Sequence, residues 1–227
     1  MKKKILIFMA LLVGVVSLTA CGKPNIKLSD YLIEERNNLF TATDDLYCVS
    51  FSTGMREENY QFDGEVGNKV EFGVITFARN DREPMANDNY TYLLTVGEES
   101  FTGFLEKSPV DNTYSVDIGK VATDDALVSV QITFTGYSFN KELSCTSKDF
   151  SVDKNTALEI ANKNLSEELN NICSDKNNKI EVVMKIMKDY STENKTYFWY
   201  VGVVSTNADT LGILIDANTG DVVAIKK

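Results

Sequence analysis

Ser29-Asp30-Tyr31-Leu32-Ile33-Glu34-Glu35-Arg36-Asn37-Asn38-Leu39-Phe40 is the stretch on which the fold class turns. Leu28, Leu32, Glu35 and Leu39 recur at steps of three and four, close to a helical period. Ser29 is suited to cap a first turn, and Leu28 and Ile33 are placed to staple it. The spacing predicts an amphipathic helix over about Asp30–Phe40, ended by Thr41–Asp45.

Downstream the period drops to two. Val70, Phe72 and Val74 alternate with Glu71 and Gly73; Tyr90, Tyr92, Leu94 and Val96 form the next run, which turns at Gly97-Glu98-Glu99 into Phe101–Leu105. Tyr114, Val116 and Ile118 follow. The clearest run is Val128, Val130, Ile132 and Phe134, interleaved with Ser129, Gln131 and Thr133, so one face is buried and the other wet. Gly67-Asn68, Pro109–Asn112 and Thr123–Asp125 read as turns. With no helical stretch between these runs, antiparallel pairing of about six strands is expected.

Lys141–Phe150 is polar and aperiodic and reads as a boundary. A helix then starts at an Asp153 cap, with Leu158, Ala161, Leu165, Leu169 and Ile172 on one stripe, and Ser174–Asn178 ends it. Strands follow at Ile180–Ile186, Thr196–Val204, Leu211–Asp216 and Val222–Ile225. The expected class is α+β in two domains: an N-terminal helix plus antiparallel β-sheet over 28–148, then a small helix-plus-antiparallel-sheet domain over 149–227.

Upstream, Met1-Lys2-Lys3-Lys4 precedes an apolar run, Ile5–Leu18, of 14 residues. That suits a signal-peptide core and is shorter than the roughly 17–25 residues of a membrane span. Leu18-Thr19-Ala20-Cys21 followed by Gly22 resembles the lipobox of bacterial lipoproteins. The resemblance implies removal of Met1–Ala20, covalent lipid on Cys21, a tether over 21–27, and a body held at the outer face of the cell membrane. The mature chain then has 207 of the 227 residues. Because the leader holds three lysines and no acid, its charge is −13 rather than −10. Such a surface repels nucleic acid, whose binding relies on Lys and Arg displacing counterions.

The last 77 residues carry a second resemblance. Ala157 and Ala161 on a helix, the aromatic strand Tyr197-Phe198-Trp199-Tyr200-Val201, and Ile215-Asp216-Ala217-Asn218-Thr219-Gly220-Asp221-Val222-Val223 are similar to a PepSY domain over Ser151 to Lys227. That family implies a small exported module proposed to restrain peptidases. With no peptidase domain expected beyond Lys227, the resemblance implies restraint of a separate partner. The turn has a simpler account as well: Asp216 and Asn218 bond their own backbone and Gly220 supplies positive φ. A calcium reading of Asp-x-Asn lacks the glycine and distal Glu of an EF-hand loop.

Tyr197 and Trp199 share one side of their strand, and Phe198 and Tyr200 the other. One side packs on the helix. Core packing is the preferred reading, and Tyr197 and Trp199 are the candidate interaction surface for a peptide or glycan if theirs is the open side.

Histidine is absent, which removes Ser/His/Asp and Cys/His triads and the H-E-x-x-H zinc motif. Ser138–Lys141 and Ser151–Lys154 fit Ser-x-x-Lys, without the companion motifs of penicillin-recognising enzymes. Glu57-Glu58, Glu98-Glu99 and Asp124-Asp125 read as solvated turns. No catalytic residue, cofactor or metal is expected. If Cys21 is lipidated, Cys48, Cys145 and Cys173 remain. A Cys48–Cys145 bridge is one reading and three buried thiols the preferred one. The functional expectation is a non-catalytic interaction or regulatory lipoprotein, with an envelope protein or peptidase as partner; the alternative is a receptor holding a peptide or glycan between the two domains.

Overall fold

The computed structural model describes residues 26–81, 83–109, 112–123, 126–175, 177–189, 196–207 and 210–227. The leader, Cys21 and residues 22–25 of the tether lie outside them, as do parts of the turns expected at 109–112 and 123–125.

Nine strands build the first half: β1 (Leu32–Thr43), β2 (Tyr47–Glu57), β3 (Lys69–Arg79), β4 (Thr91–Val96), β5 (Glu99–Phe104), β6 (Glu106–Lys107), β7 (Tyr114–Gly119), β8 (Val128–Phe134) and β9 (Tyr137–Cys145). Their pairing order is β1-β2-β3-β7-β6 along one side and β5-β4-β8-β9 along the other. The chain crosses between the two sides at Leu105, whose N–H donates to the Tyr90 carbonyl at 2.8 Å. At the opposite seam β9 returns to β1 through Phe40↔Cys145 and Thr41↔Ser144. The result is a nearly closed, barrel-like sheet. Its interior is filled by Phe51, Ile75, Phe77, Tyr90, Leu94, Ile132 and Phe139, all essentially without solvent exposure. Val128, Val130 and Ile132 point inward, as their alternation requires.

The second half has two helices, α1 (Lys154–Asn164) and α2 (Ser166–Ile172), and four strands: β10 (Ile180–Lys188), β11 (Tyr197–Ser205), β12 (Thr210–Asp216) and β13 (Val222–Lys226). The Asp153 carboxylate caps α1 by accepting the Thr156 N–H at 2.7 Å. Leu158, Ala161, Leu165 and Leu169 pack onto one face of the sheet and form a second core. These strands run antiparallel in sequence order, and β10 joins β1 in the fold's parallel pairing among the described residues.

This overturns the α+β expectation with an N-terminal helix. The fold is mostly antiparallel β, with 53% of it in strands and 14% helical. Residues 30–40 hold a 3₁₀ turn at Leu28–Tyr31 and then the long strand β1. The physical reason lies in two bulges. Pairing with β10 skips Ile33, and pairing with β2 skips Asn37. The bulges add to the strand's twist as it passes between the two cores, so that Leu32 and Leu39, seven apart, both enter the second core while Phe40 enters the first. A bulged strand thereby imitates helical spacing. Cross-strand pairing on both edges then outweighs helix propensity, which is weak for Asn37-Asn38 and Thr41.

One smaller correction follows. Lys141–Phe150 is not aperiodic: it contains the end of β9 and a 3₁₀ turn at Thr146–Asp149. Cys48, Cys145 and Cys173 are free thiols, and burial pushes the Cys48 thiol pKa up.

Candidate binding surface

Alternation along β10–β13 separates two faces. On one side, Met184, Trp199, Val201, Ile213 and Ile215 meet the helices and are buried. Tyr197 and Trp199 belong to this covered side, at 6% and 3% exposure. The Trp199 indole N–H donates to the Val152 carbonyl at 2.8 Å, and the Tyr197 ring lies 5.1 Å from that of Phe150. As an exposed interaction surface these two residues are therefore corrected: the indole's polar end is already satisfied, and both rings hold α1 and its entry onto the sheet.

The other face is open. Lys185, Met187, Tyr200, Leu214, Ala224 and Lys226 line a groove of about 370 Å³ across all four strands. Its floor is set by two glycines. Gly202 in β11 is the register partner of Gly212 in β12. A Cβ on Gly202 would sit 2.6 Å from the Tyr200 hydroxyl, and one on Gly212 would meet the ring at 3.4 Å. The phenol ring thus lies along the sheet rather than standing off it, which the missing side chain at Gly202 permits. Lys185 Nζ stands 5.5 Å from the centre of that ring, in cation–π range. Lys226 Nζ donates to Thr210 Oγ1 at 2.9 Å on the far side. The chain as a whole has an excess of ten acids, yet the groove is lined by two lysines and no carboxylate.

One end of this face is closed by residues 58–68. Glu181, at the start of β10, is 2% exposed, and its Oε1 accepts the N–H groups of Asp63 at 3.0 Å and Gly64 at 3.2 Å. Glu57 accepts the Gly67 N–H on the other flank of the same loop. Two buried acids therefore pin the loop, each using backbone amides as partners. The Tyr60 phenol is pushed up to about 12, by burial first and then by the adjacent Glu181 carboxylate.

The features singled out in the sequence fall elsewhere. Asp216 Oδ1 accepts the Asn218 and Thr219 N–H groups at 2.8 and 2.9 Å, and Gly220 has φ +78°, which accounts for the final turn as backbone geometry. Lys154 is held by Glu35 at 2.6 Å. Among the described residues no cluster of three or more His, Cys, Asp or Glu is disposed around a metal site, and no helix is long and apolar enough to cross a membrane. Sequence reasoning missed Lys185, Tyr200, Leu214 and Lys226. The available signal was a pair of glycines inside otherwise apolar strands, each one residue from a strand centre.

Comparison with protein-family models, with curated proteins and with solved structures finds no match.

Proposed function

We propose that this chain is an extracytoplasmic lipoprotein, anchored through Cys21 at the outer face of the cell membrane, that acts by binding and not by catalysis. Its partner is an envelope protein that lays an extended apolar segment along the β10–β13 face. The observation that carries this reading is the open groove itself, with Tyr200 laid flat over Gly202 and Gly212 between Lys185 and Lys226. Exposed apolar ground of this kind on a soluble body marks an interaction site more often than an accident of packing. The lipobox-like Leu18–Cys21 supports the anchoring. The PepSY-like pattern over Ser151–Lys227 supports a secreted or envelope peptidase as the partner.

Proximity labelling from the anchored chain in its own cells tests the proposal against Tyr200→Glu and Leu214→Lys variants, with circular dichroism to verify their folding. The expected result is one or more envelope proteins labelled by the parent and lost in both variants, together with altered envelope proteolysis when the chain is deleted. Identical labelling in parent and folded variants sinks the groove as the binding site. Unchanged envelope proteolysis on deletion removes the peptidase from the proposal.

A further inference from the structure

The β10–β13 groove has a sign of charge as well as an apolar floor. Lys185, Tyr200, Leu214 and Ala224 are register partners in one row across the four strands, and Gly202, Gly212 and Lys226 belong to the next row. The two lysines therefore stand at opposite ends of a diagonal, one on β10 and one on β13, with the Tyr200 ring and Leu214 between them. Among the described residues no carboxylate lines the groove, although acids outnumber bases by ten in the chain. We propose that the occupant is an extended segment with two carboxylates four residues apart and an apolar side chain midway, in the pattern Asp/Glu-x-apolar-x-Asp/Glu. This rests on the groove being the binding site, as proposed above, and adds the chemistry that it selects.

The spacing follows from sheet geometry. Neighbouring strands lie about 4.8 Å apart, so β10 and β13 are separated by about 14 Å, and the two-residue step from Ala224 to Lys226 adds about 7 Å along β13. The diagonal between the two lysine Cα atoms is then about 16 Å. An extended chain rises about 3.3 Å per residue and turns residues i, i+2 and i+4 to one side, so its outer pair stand about 13 Å apart. Lys185 leans inward, with Nζ 5.5 Å from the centre of the Tyr200 ring, which makes up the difference. At the other end Lys226 Nζ donates to Thr210 Oγ1 at 2.9 Å, a contact that takes one of an ammonium's three donors. A spacing of three or five residues would turn the second acid to the far side of the segment. Two residues, about 7 Å, fall short and six, about 20 Å, overshoot.

Charge decides against the other occupants. A second copy of this face would set lysines against lysines, with no acid in either groove to answer them. An anionic bilayer would attract the two lysines but repel a chain of net charge −10, whereas a short segment meets the groove alone. Exposed ion pairs contribute little each, so the apolar floor holds the segment and the two ends choose it, through the cost of like charges when an end is wrong.

The test is fluorescence anisotropy with the purified full chain in maltoside micelles and labelled, end-blocked peptides. The probes are Gly-Asp-Thr-Leu-Thr-Asp-Gly, the same peptide with both Asp replaced by Lys or by Ser, and the shortened Gly-Asp-Thr-Leu-Asp-Gly. The first is expected to bind about tenfold more tightly than the lysine peptide and about threefold more tightly than the serine and shortened ones, the advantage shrinking as salt is added. The double variant Lys185→Glu, Lys226→Glu is expected to prefer the lysine peptide, a gain of binding that a misfolded chain would not show. Equal binding of the acidic, serine and lysine peptides overturns the charge selection and leaves the groove as a site. Equal binding of the shortened peptide overturns the spacing. No saturable binding of any peptide to about 10 mM overturns the proposal outright; the groove reading then stands or falls on the labelling of the Tyr200→Glu and Leu214→Lys variants. Displacement of the acidic peptide by dihexanoyl-phosphatidylglycerol as readily as by its own unlabelled form assigns the lysines to lipid headgroups and overturns the segment.

Discussion

Gly202 and Gly212 face each other across β11 and β12, and the Tyr200 ring lies over both. The two are not equivalent. A methyl group at Gly202 would press on the hydroxyl end of the ring at 2.6 Å, whereas at Gly212 it would make ordinary contact at 3.4 Å. Gly202→Ala is expected to lift Tyr200 off the floor and abolish partner labelling. Because the ring can swing into solvent, urea melts should move by less than about 1 kcal/mol. Gly212→Ala should leave both the labelling and the melt close to the parent's.

Alkaline titration reports on the loop over Glu181. Three tyrosines have phenols pushed up to about 12: Tyr60 by burial and then Glu181, Tyr90 by burial, and Tyr137 by its hydrogen bond to Asp44. A folded-state pKa above the unfolded one means the neutral phenol is favoured by folding. That stability is fully present below about pH 10 and is lost as pH rises towards 12. Melting temperature should accordingly fall between pH 10 and 12. Glu181→Gln removes the charge beside Tyr60 and should lower that one phenol's pKa, read as an earlier rise in absorbance at high pH. An unchanged titration curve in Glu181→Gln would show that Glu181 does not act on Tyr60.

The second bulge of β1 predicts a severe substitution. A Cβ on Gly54 would lie 1.8 Å from the Glu35 carbonyl oxygen and 2.8 Å from the Arg36 Cα. Both are backbone atoms, so neither can move without parting β1 from β2. Gly54→Ala should cost about 3 kcal/mol or more, at the upper end for single substitutions, and appear as a lowered urea midpoint. A loss below about 1 kcal/mol would mean that the strands are not this close at the bulge.

Much of the strand content was legible because half-buried strands alternate: Val128–Phe134 and Ile180–Ile186 lie as their side-chain types require. The Asp153 cap was legible for the same local reason, a carboxylate three residues before an amide it can reach. β1 was not. Its apolar residues follow two bulges and two different cores, and neither is a local property of the chain. The groove was hidden by a related effect. Trp199 and Tyr197 draw attention as large aromatics, but size is what commits them to the core, while Tyr200 lies flat on the open side because Gly202 leaves room beside it. Which side of an aromatic strand remains open depends on where the helices pack, and that is settled by tertiary contact.

Leu28 is 1% exposed and packs in the second core, so the folded body begins within a few residues of Cys21. Six residues, 22–27, separate them; at roughly 3.3–3.6 Å each they span at most about 20 Å. Anchoring at Cys21 would therefore hold the folded body close to the membrane, not on a long stalk. Mass spectrometry of the chain from its own cells should find residues 1–20 removed and an acylated cysteine first. Cys21→Ser should abolish acylation and leave a longer, unprocessed chain. Single-acyl binding is marginal and two or more chains bind stably, so the parent should leave the membrane only in detergent. A parent released by salt washing, or one that retains Met1, would end the anchored reading.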